Sequence, residues 1–210
     1  MTAGPFNLPE FMFSYFSGVD FGGDLFSQWP VGLRFEIGEH QVSRAVQLFE
    51  FIFSDTQDCI LISQDWPSDL RLPEPHTPLF ATPGVFPYLP PLSGPLVVSP
   101  YEESQYQLLW TRLSPSSFDV TRMFRGIANR ERPGTPKVTS AAYVLDENLK
   151  IIMHMYDDRG LDVIAHAPST LMPIYHRFGE WILDNQRGKI ASRFGTLLSE
   201  ADPSASPSQS

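Results

Sequence analysis

The densest group of ionisable side chains in this sequence lies in residues 150–165, where two apolar runs flank a short polar segment. His154 lies in the first run, and Asp158 and Arg159 follow it closely. A histidine beside a carboxylate and a guanidinium is suited to general acid-base chemistry, because such neighbours shift its pKa. One hypothesis is therefore a small hydrolase or nucleotide-processing enzyme that uses His154, Asp158 and Arg159.

A second polar pair could join this group from the first predicted strand. Residues 29–38 alternate apolar and polar side chains, which places Arg34 and Glu36 on one face. The same alternation places His154 and Tyr156 on one face of their own strand. If the two faces adjoin, these side chains form a single cluster. The cluster could bind a partner or ligand, or it could be a buried network whose polar groups satisfy one another.

The turn between the two apolar runs has a structural explanation of its own. Asp157 opens a four-residue hairpin loop and Gly160 closes it, at a position where a positive φ would favour glycine. Asp157 and Asp158 are adjacent, so on a strand end they point to opposite faces and make a poor two-carboxylate clamp. The alternative role of Asp157, Asp158 and Arg159 is contact with a partner or ligand.

The sequence contains no recognisable metal or cofactor motif. No two of its five histidines have the i, i+2 or i, i+4 spacing of ligands on one strand or helix. Phosphate-binding loops, serine-nucleophile elbows and Cys-x-x-Cys pairs are also missing from the sequence. The single cysteine, Cys59, begins an apolar run and is expected to be an inert core residue. We expect neither a metal nor a cofactor.

A basic helix face is the other candidate binding surface. Residues 118–129 are predicted to form a helix capped by the Ser/Pro segment 114–117, with Arg122, Arg125 and Asn129 on one side. This side is either a solvated surface or a contact site for an anion or for backbone carbonyls. We count Arg125 and Asn129 among the candidate binding residues.

Apolar periodicity predicts an α+β fold. The sheet should be mixed and largely antiparallel, with amphipathic helices covering an antiparallel C-terminal meander. A strand, a helix and a strand within residues 29–63 favour a β-α-β or a split β-α-β arrangement rather than a plain hairpin. The last long helix should have Ser169 or Thr170 as its cap and Pro173 in its first turn. The predicted strands are 29–38, 58–63, 105–113, 138–145, 149–156 and 161–165, and the predicted helices are 39–53, 118–129 and 168–182, with a shorter piece at 189–198.

The predicted organisation is a single α+β domain over residues 1–200. It begins with an aromatic-rich segment at residues 1–29 and ends in a disordered Ser/Pro tail at residues 201–210. Residues 66–100 hold ten of the chain's 20 prolines, which favours an irregular cover over the core rather than a helix or inner strand. The alternative for this segment is a proline-rich ligand for another domain.

The net charge of -9 is concentrated in the first half of the chain. Residues 1–105 hold three arginines against 13 acidic residues, whereas residues 106–210 are nearly balanced. A nucleic-acid binder needs an extended basic surface, so this charge indicates no nucleic-acid partner and favours a basic protein. No apolar run is long enough to span a bilayer, and the N-terminus lacks the basic start of a signal peptide. We expect a cytoplasmic protein with no membrane contact.

Several segments resemble an uncharacterised bacterial domain-of-unknown-function family. The resemblance lies in residues 154–165, Tyr175, residues 181–184, residues 29–38 and residues 125–131, and it spans roughly residues 29 to 195. It implies a fold but assigns no catalytic residues. We therefore expect a non-enzymatic binding protein and, in the finer form of this hypothesis, an immunity protein that neutralises a basic toxin or effector domain, with the enzyme as the alternative.

Overall fold

The computed structural model describes residues 6–38, 41–66, 76–87, 96–98, 105–130 and 132–201. These residues form an α+β fold of helices packed on a large sheet. The helices among them are α1 Leu8–Tyr15, α2 Leu25–Gln28, α3 Gln41–Phe53, α4 Val120–Ala128, α5 Pro168–Phe178 and α6 Arg187–Ala201. The strands are β1 Gly32–Glu36, β2 Cys59–Asp65, β3 His76–Thr77, β4 Leu96–Val98, β5 Gln105–Leu113, β6 Lys137–Val138, β7 Ala141–Asp146, β8 Ile151–Met155 and β9 Gly160–Ala165.

The main sheet has the strand order β1-β9-β8-β7-β2-β5-β4 over the described residues. Each neighbouring pair in it is antiparallel, and β7, β8 and β9 form the predicted meander. The meander lies between β1 and β2, so these two strands run parallel with α3 connecting them. The split β-α-β arrangement is therefore confirmed. The domain boundaries proposed above stay a prediction.

Helices cover one face of the sheet and the N-terminal residues cover the other. Val144, Met153 and Val163 project from the meander into the core under α3, α4 and α5. Ile62, Ile152 and Ile164 project to the opposite side, where the side chains of the N-terminal segment enclose them: Leu8, Phe11, Phe16, Phe21 and Leu25. Burying a phenylalanine as completely as Phe16 contributes about 2 to 3 kcal/mol. The aromatic-rich start of the chain is thus the cover for the sheet face that carries His154.

The caps predicted for two helices are wrong. Asp119, not the preceding Ser/Pro segment, caps α4, and its carboxylate accepts the N–H of Arg122 at 2.8 Å. Ser114 caps only a short 3₁₀ turn at Pro115–Ser117. The cap residue of α5 is Ala167, so Ser169 lies inside the helix and Pro173 lies beyond its first turn. The helix starts at Pro168, as predicted, because proline can take the first helical position, where a missing N–H is harmless.

Other boundaries differ from the predictions for local reasons. The predicted strand 138–145 is divided into β6 and β7, because Thr139 pairs with Thr77 of β3 rather than with the main sheet. The helix predicted at 168–182 ends at Phe178, and a 3₁₀ turn at Gly179–Trp181 follows. The shorter piece predicted at 189–198 is instead the 15-residue helix α6, Arg187–Ala201, which is longer than α5. The edge strand β4 and the short β3 lie within the proline-rich segment. Most of that segment, and the tail at residues 202–210, lie outside the described residues.

Gly160 does not have the positive φ that the turn pattern predicted. It is the first residue of β9 and is needed for space. A Cβ atom there would lie 3.0 Å from the Phe35 carbonyl oxygen and would run into the phenol of Tyr156. The residue with positive φ in the meander is Lys150, in the other hairpin, at 51°.

We expect Gly160→Ala to lower the free energy of unfolding by about 1 to 3 kcal/mol, the usual cost of overpacking. The added methyl must displace the Tyr156 ring or the β1 backbone. Urea denaturation followed by tryptophan fluorescence measures the change. Gly195→Ala is the control: it lies in α6 with open space around it, so alanine should stabilise by about 1 kcal/mol. Equal effects of the two substitutions would contradict the steric explanation.

Candidate functional site

A row of polar side chains crosses the His154 face of the sheet. Arg34 of β1 pairs with Asp162 of β9, Asp162 with His154 of β8, and His154 with Tyr143 of β7. The guanidinium of Arg34 donates to both oxygens of Asp162, from Nε and Nη2, each at 2.7 Å. It also forms an ion pair with Asp24, next to α2. The row therefore begins at a partly exposed arginine and continues into the core.

Asp162 is the most deeply buried charged group of this row, with 1% of its side chain exposed. It also accepts the backbone N–H of Phe26 at 3.3 Å. Burial raises the pKa of its carboxyl, and the hydrogen bonds from Arg34 oppose that rise. The Asp162 carboxylate therefore needs Arg34 as its partner, because a buried charge without a partner strongly destabilises the folded protein.

His154 is held as a neutral ring. Its Nδ1 lies 2.9 Å from the carbonyl oxygen of Ala142 and donates to it, and its ring stacks on Tyr143 with centroids 4.2 Å apart. Burial lowers the pKa of His154 to about 4. Tyr143 in turn donates to the carbonyl of Phe21, and burial raises its pKa. Both rings are thus anchored to backbone rather than to an open cavity.

Four of the candidate residues meet at the surface instead, in a charged cleft of about 410 Å³. Arg132 forms an ion pair with Asp158 across the cleft. Arg159 lies beside them, 77% exposed, with its Nε donating to Asp157 at 2.8 Å. The cleft thus presents charges of both signs to solvent. Its lining residues are Glu36, Gly38, Arg132, Tyr156, Asp158, Arg159 and Leu183.

The structure separates the remaining candidates from this cleft. Asp157 accepts the backbone N–H of Arg159 at 2.7 Å and so shapes the turn. Arg125 is exposed in the last turn of α4. Asn129 donates to the carbonyl of Pro136 at 3.1 Å, a contact within the chain, and the binding role of this face stays a prediction. Arg130 makes three such contacts, to the carbonyls of residues 138, 140 and 156.

Sequence reasoning missed Asp162 and Asp24, the partners of Arg34. A usable signal was present for Asp162, because it is the one charged residue in the apolar run of residues 161–165. Arg34 is likewise the one cation in its strand. Two lone, opposite charges on apolar strands of one sheet must pair if both are buried. Asp24 had no such signal, because it lies in a loop that reaches the site only in the folded chain.

The described residues include no group of three or more histidine, cysteine or acidic side chains placed to hold a metal ion. Cys59 is fully buried in β2, and burial raises the pKa of its thiol to about 12. It is therefore a protonated core residue at neutral pH, as its apolar run predicted. Within the part of the chain that the structure covers, no helix has the length and apolar character needed to cross a membrane.

The fold and site define a class: an α+β protein with a buried ion-pair row beneath a charged surface cleft. The chain belongs to the family described as a domain of unknown function, DUF3885, whose model matches residues 8–186. It is also similar to the uncharacterized protein YnaE of Bacillus subtilis (strain 168), with 21% identity over 212 residues. That match covers 84% of this chain and 97% of YnaE. No solved structure matches this chain.

Proposed function

We propose that this chain is a non-enzymatic binding protein whose partner is a basic protein domain. The observation that supports this proposal is the separation of the three residues of the catalytic hypothesis. His154 is buried and bonded to backbone, whereas Asp158 and Arg159 line a surface cleft. A general base must reach the proton that it abstracts. The buried position of His154 therefore favours binding over catalysis.

The net charge supports a basic partner. At -9, with the acidic excess in residues 1–105, the chain attracts a positively charged domain and speeds its association. Such steering weakens with added salt, because ions screen exposed charges. In its finer form, the proposal is a cytoplasmic immunity protein that neutralises a basic toxin or effector domain. The charged cleft supplies polar contacts of both signs for the rim of such an interface.

The test is protection from a toxic gene product. Cells that express the product of the neighbouring gene should grow only when this chain is co-expressed, and the two purified proteins should form a complex whose affinity falls with salt. A His154→Gln variant should protect as well as the natural chain, because glutamine can donate to the Ala142 carbonyl in place of the ring. Loss of protection by this variant while it remains folded would support the enzyme instead. Absence of both protection and complex would contradict the proposal.

A further inference from the structure

A second depression, which we call the end groove, lies at the end of the sheet away from the charged cleft. It has a volume of about 740 Å³. Its walls are the C-terminal end of α3, the turn between β7 and β8, and the first turns of α5. The apolar floor and rim consist of Phe51, Ile52, Leu149, Ile151, Pro173 and Ile174.

The only charged side chains among the lining residues are acidic. Asp146 is buried and its oxygens are occupied: it accepts the backbone N–H of Asn148 at 2.7 Å, that of Leu149 at 2.9 Å, and the Thr56 hydroxyl. Asp55 is exposed on the rim. A charged side chain of a partner that approaches the groove therefore meets the Asp55 carboxylate first. This arrangement is complementary to a cation.

The C-terminal end of α3 adds hydrogen-bond acceptors to the end groove, whereas the N-terminal end of α5 on the other wall presents backbone N–H donors. The C-terminal end of α3 carries the negative end of the helix dipole, and its last turn has no basic residue to offset it. Pro173 has no N–H to give to the carbonyl of Ser169, so that acceptor is not bonded in the usual α-helical pattern. Both Ser169 and Pro173 line the groove. These acceptors favour a partner that brings donors, such as lysine and arginine side chains.

Two cations next to lining residues are stacked on aromatic rings. Arg177 lies over Phe51, 5.1 Å from its centroid, and Lys150 lies over Tyr15 at 4.9 Å. Leu149, in contrast, has no such cover and is 45% exposed, one of two large apolar residues that the described chain leaves exposed. The groove thus combines an exposed apolar contact with an acidic rim, the composition of an anchor pocket at a protein interface.

We propose that the end groove is the docking surface for a segment of a partner protein that presents a large apolar side chain flanked by lysine or arginine. The apolar side chain packs on Leu149, Phe51 and Pro173, which are the lining apolar residues that solvent reaches, and the flanking cation pairs with Asp55. This inference rests on the proposed function, because it names the surface and the partner chemistry of the same binding role.

The probe is a synthetic amphipathic helical peptide with leucine at heptad a and d positions and lysine elsewhere, beside a version with glutamate in place of lysine. Titration of the protein labelled with ¹³C at its isoleucine and leucine methyl groups should shift the signals of Ile52, Leu149, Ile151 and Ile174. The glutamate peptide should shift none of them. Shifts confined to other residues, or equal shifts with both peptides, would overturn the proposal.

Two variants measure the contributions of the groove. Leu149→Ser and Asp55→Lys should each weaken binding of the lysine peptide by about tenfold, which corresponds to 1.4 kcal/mol. Phe13→Ser and Glu180→Lys are the matched controls: they make the same kinds of change at exposed residues outside the groove lining. These controls should retain most of the affinity. Equal losses in variants and controls would mean general hydrophobic or charge attraction and would overturn the proposal.

The protection assay then separates this inference from the proposed function. If the natural chain protects and the Leu149→Ser, Asp55→Lys double variant does not, the docking surface is supported. If the double variant protects fully, the docking surface is wrong while the proposed function stands. If the natural chain itself gives neither protection nor a complex, the proposed function fails, whatever the peptide shows.

Discussion

Asp162→Ala should destabilise this protein by about 3 to 5 kcal/mol, the usual cost of removing one partner of a buried ion pair. The change leaves the guanidinium of Arg34, only 15% exposed, without the two hydrogen bonds that Asp162 accepts. It also removes the acceptor for the Phe26 N–H. Urea denaturation at neutral pH, followed by tryptophan fluorescence and circular dichroism, measures the loss.

Glu147→Ala is the matched control for Asp162→Ala. Arg112 donates to both carboxylate oxygens of Glu147, at 2.7 and 2.9 Å, so the geometry resembles that of the buried pair. The side chains of Arg112 and Glu147, however, are each 26% exposed. Water can solvate the arginine that remains, so we expect a loss below about 1 kcal/mol. If Asp162→Ala cost no more than this control, the buried pair would not be needed to hold β1 against β9.

The stability of this protein should fall as the pH is lowered from 6.5 to 4, because His154 is buried in its neutral form. Its pKa is about 4 in the folded chain and 6.5 without burial. Between these values the unfolded chain takes up the proton more readily, so stability is fully present above pH 6.5 and is lost as the pH falls through 4. The loss from this one group is about 3 kcal/mol.

Urea denaturation at a series of pH values tests this dependence, with His154→Gln to isolate the residue. The variant should lose stability less steeply between pH 6.5 and 5, where most carboxylates remain charged. His176→Gln is the control, because His176 is exposed at the end of α5. If the natural chain and His154→Gln had the same slope, protonation of His154 would not limit stability.

The meander and the split β-α-β arrangement could be predicted because they depend on local patterns. Nearly continuous apolar runs define β7, β8 and β9, and short turns join them. The antiparallel C-terminal meander and the α+β class are confirmed by the structure. The pairing of β1 with β9 was not predictable in the same way, since no local signal states which distant strand completes an edge. That pairing determines which residues face Arg34.

In the candidate site, too, local patterns predicted some features and missed those that depend on distant parts of the chain. Alternation correctly placed Arg34, His154 and Tyr156 on one face of the sheet, and the cleft brings Glu36 close to Asp158. Burial was the missing information: His154 stacks on Tyr143, and Tyr143 packs against Phe21, which lies over 100 positions away in the chain. The binding roles of Arg34, Glu36, Tyr156 and Asp158 stay a prediction. The prediction of a turn role for Gly160 was wrong, because turn statistics contain no information about the Tyr156 phenol that packs against this residue.

The position of β1 at the edge of the sheet has a consequence for biosynthesis. Arg34 and its partner Asp162 are 128 residues apart, and every residue of β1 pairs with β9. A ribosome must therefore release β9 before β1 has a strand to join, so the first fifth of the chain emerges without its sheet partner. Such long-range pairing slows folding and leaves apolar segments open to aggregation in the interval. The aromatic N-terminal cover is thus synthesised before the strands β8 and β9 that it covers.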